Sequence, residues 1–288
     1  MYKPTIGYIT NSRIPALEDE TFKRIAKKVG VNLVLINPTK DFDVDIIAEK
    51  AKDCDIIYND EIDYLSLEIA KQLELAGFTV VETSRSYYYT EDKWLLYLKC
   101  LKSGIPVPKT FLLSSDLISA REQIKKINQF PIIIKRVQGY LGKFVDKADD
   151  IDGAIEIVKK FWERGDDRFP IIAQEFVLSD SYRVMTIGGK VVQTALKKCS
   201  DWKATGVASK SFEKFDIDKS LKKIIKKVTK TIDIQICGID FAKRENGEWV
   251  LIEVNSGPAY DFFEKEFSTL IEKALRHLKK KSIEIKSK

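Results

Sequence analysis

Gly238-Ile239-Asp240-Phe241 is followed by Asn246-Gly247 and then by Trp249-Val250-Leu251-Ile252-Glu253-Val254-Asn255. This stretch reads as a β-hairpin with oxygen-bearing side chains at its centre. An Asn-Gly pair between two apolar runs signals a two-residue hairpin turn in which both central positions take positive φ. With Asn246 and Gly247 in those positions, Glu245 faces Glu248 and the same register sets Asp240 opposite Glu253. Glu253 and Asn255 are two apart on one strand and share a face. Cβ atoms of paired residues lie about 5 Å apart, so the two carboxylates repel unless a cation sits between them. A set with so few carboxylates suits Mg2+, which leaves positions for substrate phosphates. The opposite face, Ile239, Phe241, Val250, Ile252 and Val254, is apolar throughout and is expected to be buried. The plainer alternative is an acidic, solvated sheet face beside a hairpin.

The chain has 288 residues, enough to bury a large core in one large domain or two to three packed units. Apolar residues make up 44% and charged residues 32%, a soluble globular composition. No apolar run is long enough to cross a bilayer, and Met1-Tyr2-Lys3-Pro4-Thr5 lacks a signal-peptide core. A cytoplasmic protein is expected. Cys54, Cys100, Cys199 and Cys237 show no Cys-x-x-Cys spacing and read as core thiols. The single histidine, His277, removes most Ser-His-Asp, Cys-His and His-ligated metal mechanisms. Net charge is +6, part of it in the tail from Lys279 to Lys288, which lacks the interleaved aromatic residues of a nucleic-acid arm. Elsewhere the lysine surplus favours polyanionic ligands such as nucleotides.

The first ninety residues alternate strand-like and helix-like segments, from Thr5–Thr10 to Phe78–Val81, which argues for βαβ units and a mainly parallel sheet. Ligands of such sheets bind beyond the strand ends, here near Asn11-Ser12-Arg13, Asn59-Asp60 and Thr83-Ser84-Arg85, although each of these also reads as a helix cap. Thr90 is expected to cap a helix running to about Ser103. Ile105-Pro106-Val107-Pro108 must then be extended, because a residue before proline is pushed out of helical geometry. From Pro170 onward the strands take on antiparallel character, with Gly188-Gly189 as a second hairpin turn.

Lys135 ends an apolar strand, where a charge needs a partner, and leads into a basic loop containing Gly139 and Gly142. Glycines there let backbone amides approach an anion, and they serve equally as ordinary hairpin glycines. Gln174-Glu175-Phe176-Val177 ends another strand and offers backbone hydrogen bonds with apolar walls, as a purine pocket requires; a mere strand end is the plain alternative. Arg183 on the next strand would reach the acidic hairpin if the strands are neighbours, either to clamp a phosphate or as a cross-strand ion pair.

In this order the chain resembles the ATP-grasp proteins, nearest to the RimK-like carboxylate-amine ligases. Thr90-Glu91-Asp92-Lys93 with Gly104-Ile105-Pro106-Val107-Pro108-Lys109-Thr110 is similar to that family's opening helix and strand. Gly238-Ile239-Asp240 with Glu253-Val254-Asn255-Ser256-Gly257-Pro258 is similar to its metal-binding strand pair. The resemblance implies an α/β ATP-grasp fold: an N-terminal βα unit over 1–90, a central subdomain over 91–173 with the Gly-rich loop, and a C-terminal subdomain over 174–288 with an antiparallel sheet. It implies ATP and Mg2+, with Mn2+ as a substitute ion. Lys93 and Lys135 would hold the phosphates beside the loop of Gly139 and Gly142, and Gln174, Glu175, Phe176, Val177 and Asp180 would line the nucleotide. Asp240, Glu253 and Asn255 would carry the metal, while Arg183 and Lys203 would act at the transferred phosphoryl group. The expected partners are a small or carrier-bound carboxylate and an amine such as glutamate, with no membrane or nucleic acid, in a homodimer or homotetramer.

The chain departs from the pattern at Ser181, where relatives carry Asp, and at Lys203-Ala204-Thr205, where they carry Arg-x-Asn. Those departures bear on the acceptor, so two other readings stand: a kinase of the same fold phosphorylating a hydroxyl, and a non-catalytic nucleotide-binding module. Substrate choice is expected to lie with the N-terminal unit and the loop of residues 200–212.

Overall fold

Three four-stranded sheets organise the computed structural model, which describes residues 2–10, 17–41, 43–61, 63–127, 129–139, 143–163, 168–198, 202 and 212–287. The first sheet is built by β1 (Thr5–Ile9), α1 (Leu17–Val29), β2 (Asn32–Ile36), α2 (Val44–Ala51), β3 (Ile56–Asn59), α3 (Tyr64–Leu75) and β4 (Val80–Val81). Its strands are parallel in the order β2-β1-β3-β4, as alternating apolar and amphipathic segments predict. Asp43 and Asp63 start α2 and α3 by accepting hydrogen bonds from otherwise unpaired backbone amides.

Two helices follow, α4 (Ser84–Glu91) and α5 (Lys93–Lys102), in place of the single helix expected to open at Thr90. Thr83 caps α4 and Asp92 caps α5, the latter accepting from Leu95 N. Thr90 lies instead in the last turn of α4, its hydroxyl donating to the Tyr87 carbonyl. The break comes at Asp92, which is extended (φ −95°, ψ 98°) and so fixes where Lys93 begins the next helix.

The second sheet comprises β5 (Thr110–Leu112), β6 (Ile132–Arg136), β7 (Val145–Ala148) and β8 (Ile171–Glu175), antiparallel in the order β5-β8-β6-β7. Helices α6 (Leu117–Ile127) and α7 (Ile151–Trp162) cover one face. Strand alternation sends Ile132, Ile134, Ile171 and Ala173 into that core and leaves Ile133, Lys135 and Gln174 on the other face.

The third sheet contains β9 (Ser181–Ile187), β10 (Lys190–Lys197), β11 (Ile236–Lys243) and β12 (Trp249–Asn255), antiparallel in the order β10-β9-β11-β12. Gly188 and Gly189 both take positive φ in the turn between β9 and β10. Helix α8 (Lys219–Ile232) packs Leu221, Ile225, Val228 and Ile232 against one face, and α9 (Phe267–Lys286) covers the other together with α1.

The hairpin keeps its expected register at the site by a different route. Arg244 O accepts from Gly247 N, and Arg244 N donates to Glu248 O, so the loop holds three residues, with positive φ at Gly247 and not at Asn246. That turn offsets the pairing by one, giving Lys243 opposite Trp249 and Phe241 opposite Leu251. A bulge at Ile252 then restores Asp240 opposite Glu253 and Gly238 opposite Asn255. The apolar face is corrected accordingly: Trp249 and Leu251 join Ile239, Phe241 and Val254 against α8, whereas Ile252 is released to the opposite side.

Candidate active site

A cleft runs between the second and third sheets. Ile133, Lys135, Val145 and Gln174 line it from one side, and Asp240, Ala242 and Ile252 from the other. Glu175, Phe176 and Val177 close one end with Asp180 and Trp202. The apolar walls with a few polar groups have the character of a small-molecule site.

At the charged end, Arg183 and Asp240 face each other across β9 and β11, and Arg183 Nη1 lies 2.6 Å from Asp240 Oδ2. Asn255 Nδ2 donates to the same oxygen at 3.2 Å. Gly238 makes this possible: a Cβ at that position would collide with the guanidinium of Arg183, which lies flat against the β11 backbone. Lys93 reaches over from the start of α5, its Nζ 3.1 Å from Glu253 Oε1 and donating to Gly139 O at 2.7 Å. The Lys93 amide also donates to Val137 O, so the helix start and the glycine loop are joined twice. Gly139 takes φ +146°, a conformation open to glycine.

Lys135 is 8% exposed. Burial lowers its ammonium to a pKa of about 8, with Glu253 acting to raise it and Lys93 to lower it. Burial pushes the Asp240 carboxyl up, opposed by Arg183 and reinforced by Glu253. Three cations therefore surround two carboxylates, an arrangement that attracts a polyanion. Among the described residues no three His, Cys, Asp or Glu side chains form a metal cage. The donor set of Asp240, Glu253 and Asn255 nonetheless fits Mg2+, which binds through one or two carboxylates plus substrate phosphates.

The Glu175 carboxylate is already committed to partners within the protein. Both of its carboxylate oxygens are held by Arg244, with Nη2 at 2.9 Å from Oε2, and Lys109 N donates to Oε2 at 3.0 Å. The hydrogen bonds from Arg244 lower its pKa. Gln174 is likewise committed, its Nε2 donating to Thr110 Oγ1 at 2.8 Å. At this end of the cleft the backbone is left to meet a ligand. Gly142, Lys203 and the proposed strand end Asn11-Ser12-Arg13 lie outside the described residues.

Sequence reading missed Arg244, although a carboxylate ending an apolar strand calls for a cation. It also missed Glu91, a half-buried carboxyl that burial raises to about 7, with Lys93 opposing and Glu253 adding to the shift. The strand end at Asn59-Asp60 meets the loop that follows the hairpin: Asp60 accepts from Tyr58 OH at 2.5 Å, and Tyr58 OH lies 3.0 Å from Tyr260 OH. Thr83-Ser84-Arg85 forms the start of α4, with Thr83 as its cap.

The RimK-like ATP-grasp domain matches residues 90–278, and the chain belongs to this family. Over 206 residues it is 28% identical to a protein of Haemophilus influenzae named "Probable alpha-L-glutamate ligase", covering 70% of this chain and 67% of that one. A Legionella pneumophila protein of the same name is 27% identical over 233 residues, covering 78% and 75%. Among solved structures, a RimK domain ATP-grasp protein of Sphaerobacter thermophilus superposes with a TM-score of 0.74 at 15% identity, covering 95% of this chain and 98% of that one. D-alanine–D-alanine ligase of Bacillus anthracis, complexed with ATP, gives 0.72 at 16% identity and 99% coverage of both. The ATP-grasp fold is thus shared across the whole chain. No helix among the described residues is long and apolar enough to cross a membrane.

Proposed function

We propose that the chain is an ATP- and Mg2+-dependent, ADP-forming ligase that activates a carboxylate as an acyl phosphate and joins it to an amine, an amino acid such as glutamate. The observation that carries this reading is the convergence of Lys93, Lys135 and Arg183 on Asp240, Glu253 and Asn255 at one end of an apolar cleft. In it, Lys93 and Lys135 hold the phosphates, and the backbone of Glu175 to Val177 meets adenine, beside Gln174 and Asp180. Asp240, Glu253 and Asn255 hold Mg2+, which when bound neutralises charge on the phosphate oxygens. Arg183 then passes from its ion pair with Asp240 to the transferred phosphoryl group, with Lys203 in support. Phosphoryl transfer of this kind is positioning plus electrostatics, so lysines and an arginine suffice without a histidine base. The loop of Gly139 and Gly142 covers the phosphates and excludes water from the activated carboxylate.

The reading assigns 1–90 and the 200–212 loop to substrate choice, 91–173 to the phosphate-covering subdomain and 174–288 to the metal-bearing one. The test supplies ATP and Mg2+ with panels of carboxylates and amines and measures ADP and inorganic phosphate. Both products are expected from a ligase; ADP with phosphate retained on an alcohol product identifies a kinase. Unchanged turnover in the Asp240→Ala, Glu253→Ala double variant would sink the site assignment.

A further inference from the structure

On the face of the third sheet that carries α9, at the Gly188-Gly189 end of β9, lies a groove of about 490 Å³ apart from the cleft. One wall is α9, which presents Lys273, His277, Lys280 and Lys281 on consecutive turns. Lys190 stands on the opposite wall, beside the apolar Ile187, Val191 and Val192. Gly188 lets the turn close onto the helix: a Cβ there would sit 2.7 Å from His277 Cε1. His277 in turn lies 3.3 Å from Gln235 Oε1 at the groove floor.

The charge of this groove is one-sided. Among the described residues its single acid, Glu284, is already 3.6 Å from Lys280. Among the described residues, Lys190, Lys273 and Lys281 have no carboxylate within ion-pair distance. The six lysines on α8 are a useful contrast, since none of them lines this groove and Lys227 among them donates to Gly104 O. Cations facing one another across a concavity concentrate potential in a way that a convex lysine face does not.

The donor chemistry narrows the ligand. Arginine's fork matches carboxylates in pairs, whereas lysine binds phosphate as a point charge. Among the described residues the groove holds lysines and no arginine; Arg276, the one arginine of α9, is turned to Glu272 at 2.7 Å. Lys273 and Lys281 are eight positions apart, about 12 Å along the helix, which spans two or more phosphoryl groups. We propose that this groove is a second anion site, which binds a small molecule carrying two or more phosphoryl groups.

The test titrates inorganic tripolyphosphate into the full chain bearing Lys93→Met and Lys135→Met, so that the cleft no longer contributes. Adding Lys190→Glu and Lys273→Glu is expected to weaken the remaining binding more than ten-fold. Tighter binding of ADP than of tripolyphosphate supports a nucleotide occupant with its base on the apolar wall, and the reverse supports a bare polyphosphate. Unaltered affinity in the charge-reversed chain, or no binding at all, overturns the site; an acidic peptide that binds more tightly than either anion overturns the ligand class. Independently of folding in these variants, tripolyphosphate on the wild-type chain should protect Lys190, Lys273, Lys280 and Lys281 from acetylation and leave Lys222 and Lys223 of α8 reactive. Equal protection of both sets rejects the proposal.

Discussion

Gly238 and Lys135 each hold the site in place through a property of one atom. A methyl group at 238 displaces the Arg183 guanidinium from β11, and with it the partner that opposes the burial of Asp240. Gly238→Ala is therefore expected to fold, to bind ATP within a few-fold of wild type, and to lose about 100-fold in turnover, an effect of the size seen when one charge-stabilising group is removed. Circular dichroism with steady-state kinetics checks both halves. At Lys135 the ammonium is present below a pKa of about 8 and is lost as pH rises through it. If it holds phosphate, the ATP dissociation constant is expected to rise about ten-fold between pH 7 and pH 9, one pH unit above that pKa. Lys135→Arg keeps its charge over the same range and should show a flat profile by titration calorimetry.

At the scale of elements, the end of β8 and the hairpin of β11 and β12 are tied by Arg244 and Glu175. Arg244→Ala leaves that carboxylate with only the Lys109 amide, at an expected cost of about 1 kcal/mol for a pair partly screened by solvent. Because Arg244 lowers the Glu175 pKa, the stability it adds is present above the unfolded carboxylate pKa and is lost as pH falls through the folded value. Wild type and variant should therefore converge in thermal melts in acid and separate near neutrality, with ATP affinity following the same order. The hairpin also measures how far the sequence can be read. Asn246-Gly247 and the run of Ile and Val declared two strands, and Asp240 does stand opposite Glu253. The turn, however, has three residues, and the register is recovered only by the bulge at Ile252. Periodicity sees alternation along one strand, whereas a bulge is set by what both faces must pack against. The Arg244 pair was hidden for the same reason: its partners are 69 residues apart and meet only in three dimensions. Lys135 was legible because a charge at the end of an apolar segment is conspicuous in one dimension, whereas Lys93 was reached through the family resemblance and Arg183 through its place on the neighbouring strand.

For the whole molecule, the first and third sheets share a single core. Phe22 and Ile25 of α1 and Tyr58 of β3 meet Met185, Ile236 and the buried face of α9, whereas the second sheet packs around its own cluster under α6 and α7. Ile271→Asp, at the centre of the shared core, is expected to speed hydrogen exchange in β1, β3, β9 and β11 together and to leave β6 and β8 near wild type, a pattern read by mass spectrometry. Equal acceleration in all three sheets would reject this division. The span of α9 has a further consequence for synthesis. Arg24 of α1 donates to Ser268 of α9, 244 residues later, and Lys28 reaches Glu272 in the same way. During translation the first βαβ units leave the ribosome with one apolar flank uncovered and keep it so until α9 has emerged, whereas the second sheet has all of its strands and both of its helices by Glu175. The middle of this chain is thus able to fold before either of its ends.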